Sequence, residues 1–192
     1  MNLYMRLLRV LLGGWFSPRL PHTSTVDSRF RVLPHDLDAF GHMNNGRYLQ
    51  IMDVARLQWM LTTGVLAAIR QHRWAPVLGG GLVRFRHSLR FWQTYQVRTH
   101  LLGWQGQWFF LEHRFLDKTG RTVAVGVSRA GLRHAGRWVP ACDVANSVAP
   151  NASSPELPAY VANWLDIEEA VFRREQQHPS AGAPTQCPQE AA

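Results

Sequence analysis

Lysine is nearly absent from this chain. Lys118 stands alone against twenty arginines in 192 residues, and the net charge is +8. A surface rich in guanidinium groups suits phosphate oxygens, which an arginine grips at two points. It also suits an anionic membrane. No nucleic-acid-binding module accompanies the charge, so no nucleic-acid partner is expected. Cysteine is scarce too. Cys142 and Cys187 lie far apart, which excludes a disulfide framework and points to a reducing compartment, the cytoplasm. Acid is missing from a long stretch, with no Asp or Glu between Gly79 and Leu111. Gly79-Gly80-Gly81 is followed by neither Lys-Ser nor Lys-Thr, so it is not a phosphate loop. No internal repeat is present.

The first sixteen residues are apolar but too short to span a bilayer. Arg6 and Arg9 sit inside the run rather than before it, and Pro18 and Pro21 follow, so it does not read as a signal peptide. Two readings stay open. The segment is an interfacial helix on anionic lipid, at the inner face of a membrane, or a helix packed on the body or on a second subunit.

The pattern divides the chain into four parts. Residues 1–21 form an N-terminal amphipathic segment and linker, and 22–140 form the main domain. Residues 141–178 hold a linker and a C-terminal helix, and 179–192 a disordered tail. Within the main domain, Arg29 to Leu33 alternates as a strand. Gly46 to Thr63 reads as one helix stopped by Gly64. It is apolar almost all round, so it is expected to be buried on more than one side. From Trp74 to Trp138 the pattern is β. Val83 to Phe91 alternates, with Arg84, Arg86 and Arg90 on one face. Arg121 to Arg133 presents a small face of Ala124, Gly126, Ser128 and Ala130, on which a helix can sit closely. The expected class is α+β, an antiparallel sheet with one helix laid across it.

Chemistry concentrates between His35 and Tyr48. Asp36, Asp38, His42, Asn44 and Asn45 fall together just ahead of the long helix. A carboxylate and an imidazole beside a helix N-terminus can activate water and hold a polarised carbonyl. Asp36-Leu37-Asp38 begins like a calcium loop, but Phe40 replaces an oxygen ligand and Arg47 stands where a glutamate is needed. No second ligand cluster follows, so no metal is expected. Asp38 is either the group that activates water or a turn and capping residue. The N–H groups around Asn45, Gly46 and Arg47 lack intrahelical partners. Gly46 leaves room for a substrate carbonyl, and one such donor is typically worth roughly 3 kcal/mol of barrier. Asn44 and Asn45 suit capping and bracing beside a substrate. Asp53 pairs naturally with Arg56 one turn on.

The motif Asp-x-x-x-His-x-Asn-Asn, the buried helix, Val83 to Leu89 and Trp108 to Phe115 resemble the hot-dog fold thioesterases. The similarity is to the 4-hydroxybenzoyl-CoA thioesterase branch and its thioesterase superfamily member six group. The resemblance implies a sheet wrapped around a central helix and paired subunits, a homodimer or a dimer of dimers. It implies hydrolysis of acyl-CoA or acyl-carrier-protein thioesters, with no cofactor beyond the coenzyme A of the substrate. Asp38 then matches the catalytic aspartate of the hydroxybenzoyl-CoA enzymes, acting as base or as nucleophile. His42 matches a histidine of plant acyl-carrier thioesterases. Those plant enzymes carry an asparagine where Phe40 stands here, and a strand glutamate that this chain lacks. Asn44, Asn45, Arg47, Arg84, Arg86 and Arg90 are the candidate substrate contacts. For the last three, a charged edge strand that resists aggregation is the competing reading.

Overall fold

The computed structural model describes residues 3–15 and 18–177. The elements are α1 (Leu3–Trp15), β1 (Val26–Arg31), α2 (Asn45–Thr62), α3 (Val65–Gln71), β2 (Ala75–Phe85), β3 (Thr94–Gln105), β4 (Trp108–Asp117), β5 (Thr122–His134), β6 (Arg137–Val139), α4 (Ala141–Val148) and α5 (Ala159–Gln177). The strands form one antiparallel sheet in the order β1-β3-β4-β5-β2, and β6 pairs with the end of β5.

The apolar circumference of α2 is matched by two partners. On one side the sheet closes over it, and Tyr48, Ile51, Met52, Val54 and Ala55 share a core with Val97, Phe115, Val123 and Ala124. The small face of β5 does what the sequence suggests. A Cβ on Gly126 would lie 2.5 Å from the Met52 Sδ, so the helix rests directly on the strand. On the other side lies α1, which buries Val10 in the same core. Gly14 lets α1 close in, since a Cβ there would be 3.1 Å from a Leu61 methyl. The N-terminal segment is thus packed on the body. Its outer face still presents Tyr4, Met5, Leu8, Leu11 and Leu12 to solvent.

Two expectations need correction. The strand expected over Val83 to Phe91 stops at Phe85. Its partner β5 begins at Thr122, and the Val123 carbonyl accepts from both Arg86 N–H and His87 N–H, at 2.8 and 3.1 Å, so the ladder ends there. The glycine run, Gly79-Gly80-Gly81, lies inside β2, within the stretch expected to be β. Gly79 is needed because the Trp108 ring covers it, 2.5 Å from where a Cβ would be. The stretch after residue 141 also begins with a helix, α4, whose Ala141 and Ala145 join a second core with Trp59, Leu101 and Leu111.

Among the described residues, those from Leu157 to Gln177 belong to a second unit. Within it α5 carries a Glu169–Arg173 ion pair at 2.9 Å, one turn apart. The tail expected over 179–192 lies outside the described residues.

Candidate active site

The loop before α2 is built around two aspartates with different duties. Asp36 is 0% exposed. Arg6 of α1 grips it through Nη1 to Oδ1 at 3.1 Å and Nη2 to Oδ2 at 2.5 Å. Leu33 N–H donates to Oδ2 at 2.9 Å. The Asp36 carbonyl accepts from Asn44 N–H at 2.8 Å, which brings the motif's end back to its beginning.

Asp38 is half-buried and folds the next turn around itself. Its Oδ1 accepts from Phe40 N–H at 2.9 Å and from His42 N–H at 3.2 Å. Its own N–H donates to the His42 carbonyl at 2.8 Å. Gly41 completes the turn at φ +74, a conformation open to glycine at little cost. All the hydrogen bonds to the Asp38 carboxylate among the described residues fall on Oδ1. Oδ2 is thus left for a water or a substrate atom. The turn reading of Asp38 is the one this geometry shows, and the turn fixes the carboxylate in place.

His42 acts here through its backbone. It bridges Arg90 in antiparallel fashion, and next to it Met43 N–H donates to the Leu89 carbonyl at 2.8 Å. Its ring, partly exposed, makes no hydrogen bond among the described residues. Phe40 projects from the tip of the turn, 84% exposed.

The start of α2 departs from expectation in two ways. Gly46 N–H, expected to face a substrate carbonyl, donates to Asn44 Oδ1 at 2.9 Å, because Asn44 caps the helix. Arg47 N–H donates to the Asn44 carbonyl at 2.9 Å. That leaves the N–H of exposed Asn45, the first residue of the helix, as the donor not used by the cap. The Arg47 side chain turns inward. It donates to the His35 carbonyl at 2.9 Å and to Gln50 Oε1 at 2.5 Å, and its Nε lies 3.6 Å from Asp36 Oδ1. It braces the loop.

Arg84, Arg86 and Arg90 do not share a strand face. Arg84 lies in β2, Arg86 lies just past its end, and only Arg90 is brought beside the Asp38 turn. Asp53 and Arg56 form the ion pair expected on α2. An apolar cavity lined by Trp59, Met60, Ile69, Leu101 and Phe109 lies at the far end of α2. Met60 is about 20 Å along the helix from Gly46, so this cavity is separate from the Asp38 turn.

The profile of the thioesterase-like superfamily matches residues 32–165, which include the whole Asp38 turn. The chain belongs to the thioesterase-like superfamily. Protein THEM6 of Xenopus laevis is 36% identical over 140 residues, covering 72% of this chain and 66% of that protein. The chain thus spans just under two thirds of that relative. Among solved structures, a probable thioesterase, YbaW of Escherichia coli, superposes with a TM-score of 0.60. It is 16% identical and covers 65% of this chain and 96% of its own. BH1999, a gentisyl-coenzyme A thioesterase, gives 0.54 at 23% identity, covering 60% and 94%. These neighbours share the hot-dog fold: a curled antiparallel sheet around a central helix. Superfamily membership supports thioester hydrolysis as the general activity.

Sequence reasoning missed the Arg6–Asp36 clasp and a buried polar chain under α2. His113 is fully buried, with Nδ1 3.0 Å from Thr99 Oγ1 and Nε2 3.1 Å from Ser128 Oγ. Burial, with Arg56 and His100 nearby, pushes its pKa down to about 3. The imidazole is therefore neutral, one hydroxyl accepting from it and the other donating to it. The only signal was strand parity, which puts Thr99, His113 and Ser128 on the inner faces of three adjacent strands.

Proposed function

We propose that this protein hydrolyses acyl-CoA thioesters. The observation that carries the proposal is the Asp38 carboxylate, held by two backbone N–H groups ahead of the central helix with one oxygen left over. In this reading Asp38 takes a proton from water as the water oxygen attacks the thioester carbonyl. The carbonyl oxygen gathers charge and is met by the N–H of Asn45, where the helix dipole favours it. The C–S bond then breaks, and the proton passes to the sulfur, giving free acid and the coenzyme A thiol. Direct attack by Asp38, giving an anhydride that water opens, uses the same groups.

The working unit in this proposal is a homodimer, alone or doubled. Strand β2 lies at the sheet edge, paired on one side with β5, and exposes Leu78, Leu82 and Phe85. A long apolar edge strand is a template for a second copy of itself. Pairing there would enclose Phe85, which meets Tyr48 of α2 edge-on at 5.0 Å. Size-exclusion chromatography with light scattering checks the state, and a monomer at micromolar concentration sinks the dimer.

The test of function is thiol release from a panel of acyl-CoAs by the full-length protein. Asp38→Asn should lower kcat by roughly 10²-fold or more. Undiminished turnover in that variant would reject the assignment. Tight binding of acyl-CoA with no turnover would make the protein an acyl-thioester-binding protein instead.

A membrane-surface position is a second proposal, favoured by the exposed apolar face of α1. Among the described residues no helix is long and apolar enough to cross a membrane. The proposal is peripheral attachment at the cytoplasmic face. Flotation with anionic liposomes should fall when Leu8 and Leu12 are both changed to Gln, and equal flotation would exclude it.

A further inference from the structure

A groove beside the Asp38 turn has no part in the mechanism above. It is lined by Arg31, Phe91, Trp92, Gln93 and Thr94 on one side, and by Asp117, Lys118, Thr119 and Arg121 on the other. The first wall is the end of β1 with the turn into β3, and the second is the β4–β5 turn. Three cations face one carboxylate, and that carboxylate is already engaged. Asp117 holds Arg121 at 3.1 Å and accepts from Thr119 Oγ1 at 2.6 Å. Among the described residues neither Arg31 nor Lys118 forms an ion pair. Lys118 is the chain's one lysine, and it stands at the tip of that turn.

The groove is aromatic as well as basic. Trp92 is 56% exposed and Phe91 52% exposed, with ring centroids 5.4 Å apart. The Arg31 guanidinium lies 5.0 Å from the Trp92 ring centroid. An exposed indole beside unpaired cations is the chemistry that receives a phosphorylated nucleoside. The base stacks on the ring, and the phosphate oxygens meet the cations.

Its place relative to Asp38 is set by backbone pairing. Asp38 N–H donates to the His42 carbonyl, and His42 bridges Arg90. Arg90 opens the turn closed by Gln93, whose N–H donates to the Arg90 carbonyl at 3.2 Å. Trp92 N–H in turn donates to the Val32 carbonyl at 3.0 Å. The step from Asp38 through His42 to Arg90 is two strand spacings, about 10 Å, and the aromatic pair lies just beyond it. A thioester whose carbonyl sits at Asp38 and whose remote end carries a phosphorylated nucleoside could reach the groove.

We infer that this groove holds the adenosine 3′,5′-bisphosphate end of coenzyme A, an inference that rests on the function proposed above. It favours coenzyme A over carrier-protein thioesters, since only coenzyme A carries that group.

The test separates the groove from the chemistry. Adenosine 3′,5′-bisphosphate, adenosine and inorganic phosphate are titrated into the full-length protein by calorimetry. The bisphosphate should bind, adenosine and phosphate each far more weakly, and Lys118→Glu and Trp92→Gly should each weaken the bisphosphate about tenfold. Glycine suits position 92, where φ is +64. In kinetics, both variants should raise KM for an acyl-CoA about tenfold with kcat unchanged, and leave KM for the matching acyl-pantetheine thioester unmoved. Absence of bisphosphate binding overturns the inference, as does phosphate binding as tightly as the nucleotide. So does an equal rise in KM for the acyl-pantetheine. If no thioester is hydrolysed, the proposed function fails, while the titration still judges the groove.

Discussion

Arg6 and Asp36 form a two-point ion pair that ties α1 to the loop preceding Asp38. Oδ2 of Asp36 lies 2.5 Å from Arg6 Nη2 and also accepts the Leu33 N–H. Both side chains are nearly inaccessible, at 10% and 0% exposure. Breaking such a pair leaves a buried charge without its partner, which typically costs about 3 kcal/mol or more. Arg47, with its Nε 3.6 Å from Oδ1, offsets part of this. Arg6→Ala should therefore lower the stability to urea by about 2 kcal/mol. Arg6→Met with Asp36→Asn should recover much of it, because the amide carries no charge and its oxygen still accepts the Leu33 N–H. If Arg6→Ala is as stable as the wild type, the clasp is not holding α1 in place.

The same pair marks where sequence reading runs out. The central helix was legible because a segment apolar on nearly every side has to be covered twice. The tight seat on β5 was legible because alternate small residues from Ala124 to Ala130 leave room for it. The ends of β2 were not legible, since its hydrophobic alternation runs on past Phe85 while its partner strand does not. In the site, Asp38 could be picked out, but the Gly46 N–H could not be known to be taken. Asn44 caps with its side chain, and the residue types alone do not say which N–H it chooses. The Arg6–Asp36 pair joins residues thirty positions apart, and no local periodicity records it.

His42 and Asp38 should respond unequally to substitution. The hydrogen bonds between them run through the His42 backbone, which His42→Ala keeps. That variant should retain kcat within about tenfold, while Asp38→Asn loses roughly 10²-fold or more. Matched circular dichroism spectra would confirm that both are folded. An equal loss in both would mean that the imidazole takes part in the chemistry.

Asn44 provides a separate check on the helix start. Its side chain caps Gly46 at 2.9 Å, and Asn44→Ala should cost about 1 kcal/mol of stability. If Asn45 is the donor to the substrate carbonyl, kcat should be nearly unchanged. A fall of 10²-fold in kcat with unchanged stability would instead give the Asn44 side chain a part in the reaction.

Two glycines in the sheet should differ in tolerance. At Gly126 a new Cβ meets the Met52 Sδ and Cε, the movable end of a flexible chain. At Gly79 it meets the ring of Trp108, which is packed at 4.7 Å from Trp138 and has Arg129 over it at 4.9 Å. Gly126→Ala should cost less than about 1 kcal/mol, and Gly79→Ala about 1–3 kcal/mol. Thermal denaturation of the two variants decides the order, and the reverse order would contradict this packing.

His113 should make stability fall in mild acid. Its pKa drops from 6.5 to about 3 on folding. Between those values the unfolded chain binds a proton that the folded chain does not, so stability is lost as pH falls below 6.5. The slope is about 1.4 kcal/mol per pH unit, or roughly 2 kcal/mol between pH 6.5 and pH 5. Asp117, pulled down to about 2 chiefly by its bond from Thr119, titrates below this window. Its contribution is lost only at lower pH. His35 shifts in the same direction as His113, chiefly by burial, so the quantity to read is the difference between wild type and His113→Gln. Glutamine can still bond both hydroxyls but cannot take up the proton. Urea denaturation at pH 7 and pH 5 should show the wild type losing about 2 kcal/mol more than the variant. Equal losses would mean that His113 is protonated in the folded protein, which its bonds to Thr99 and Ser128 would then have to accommodate with both hydroxyls as acceptors.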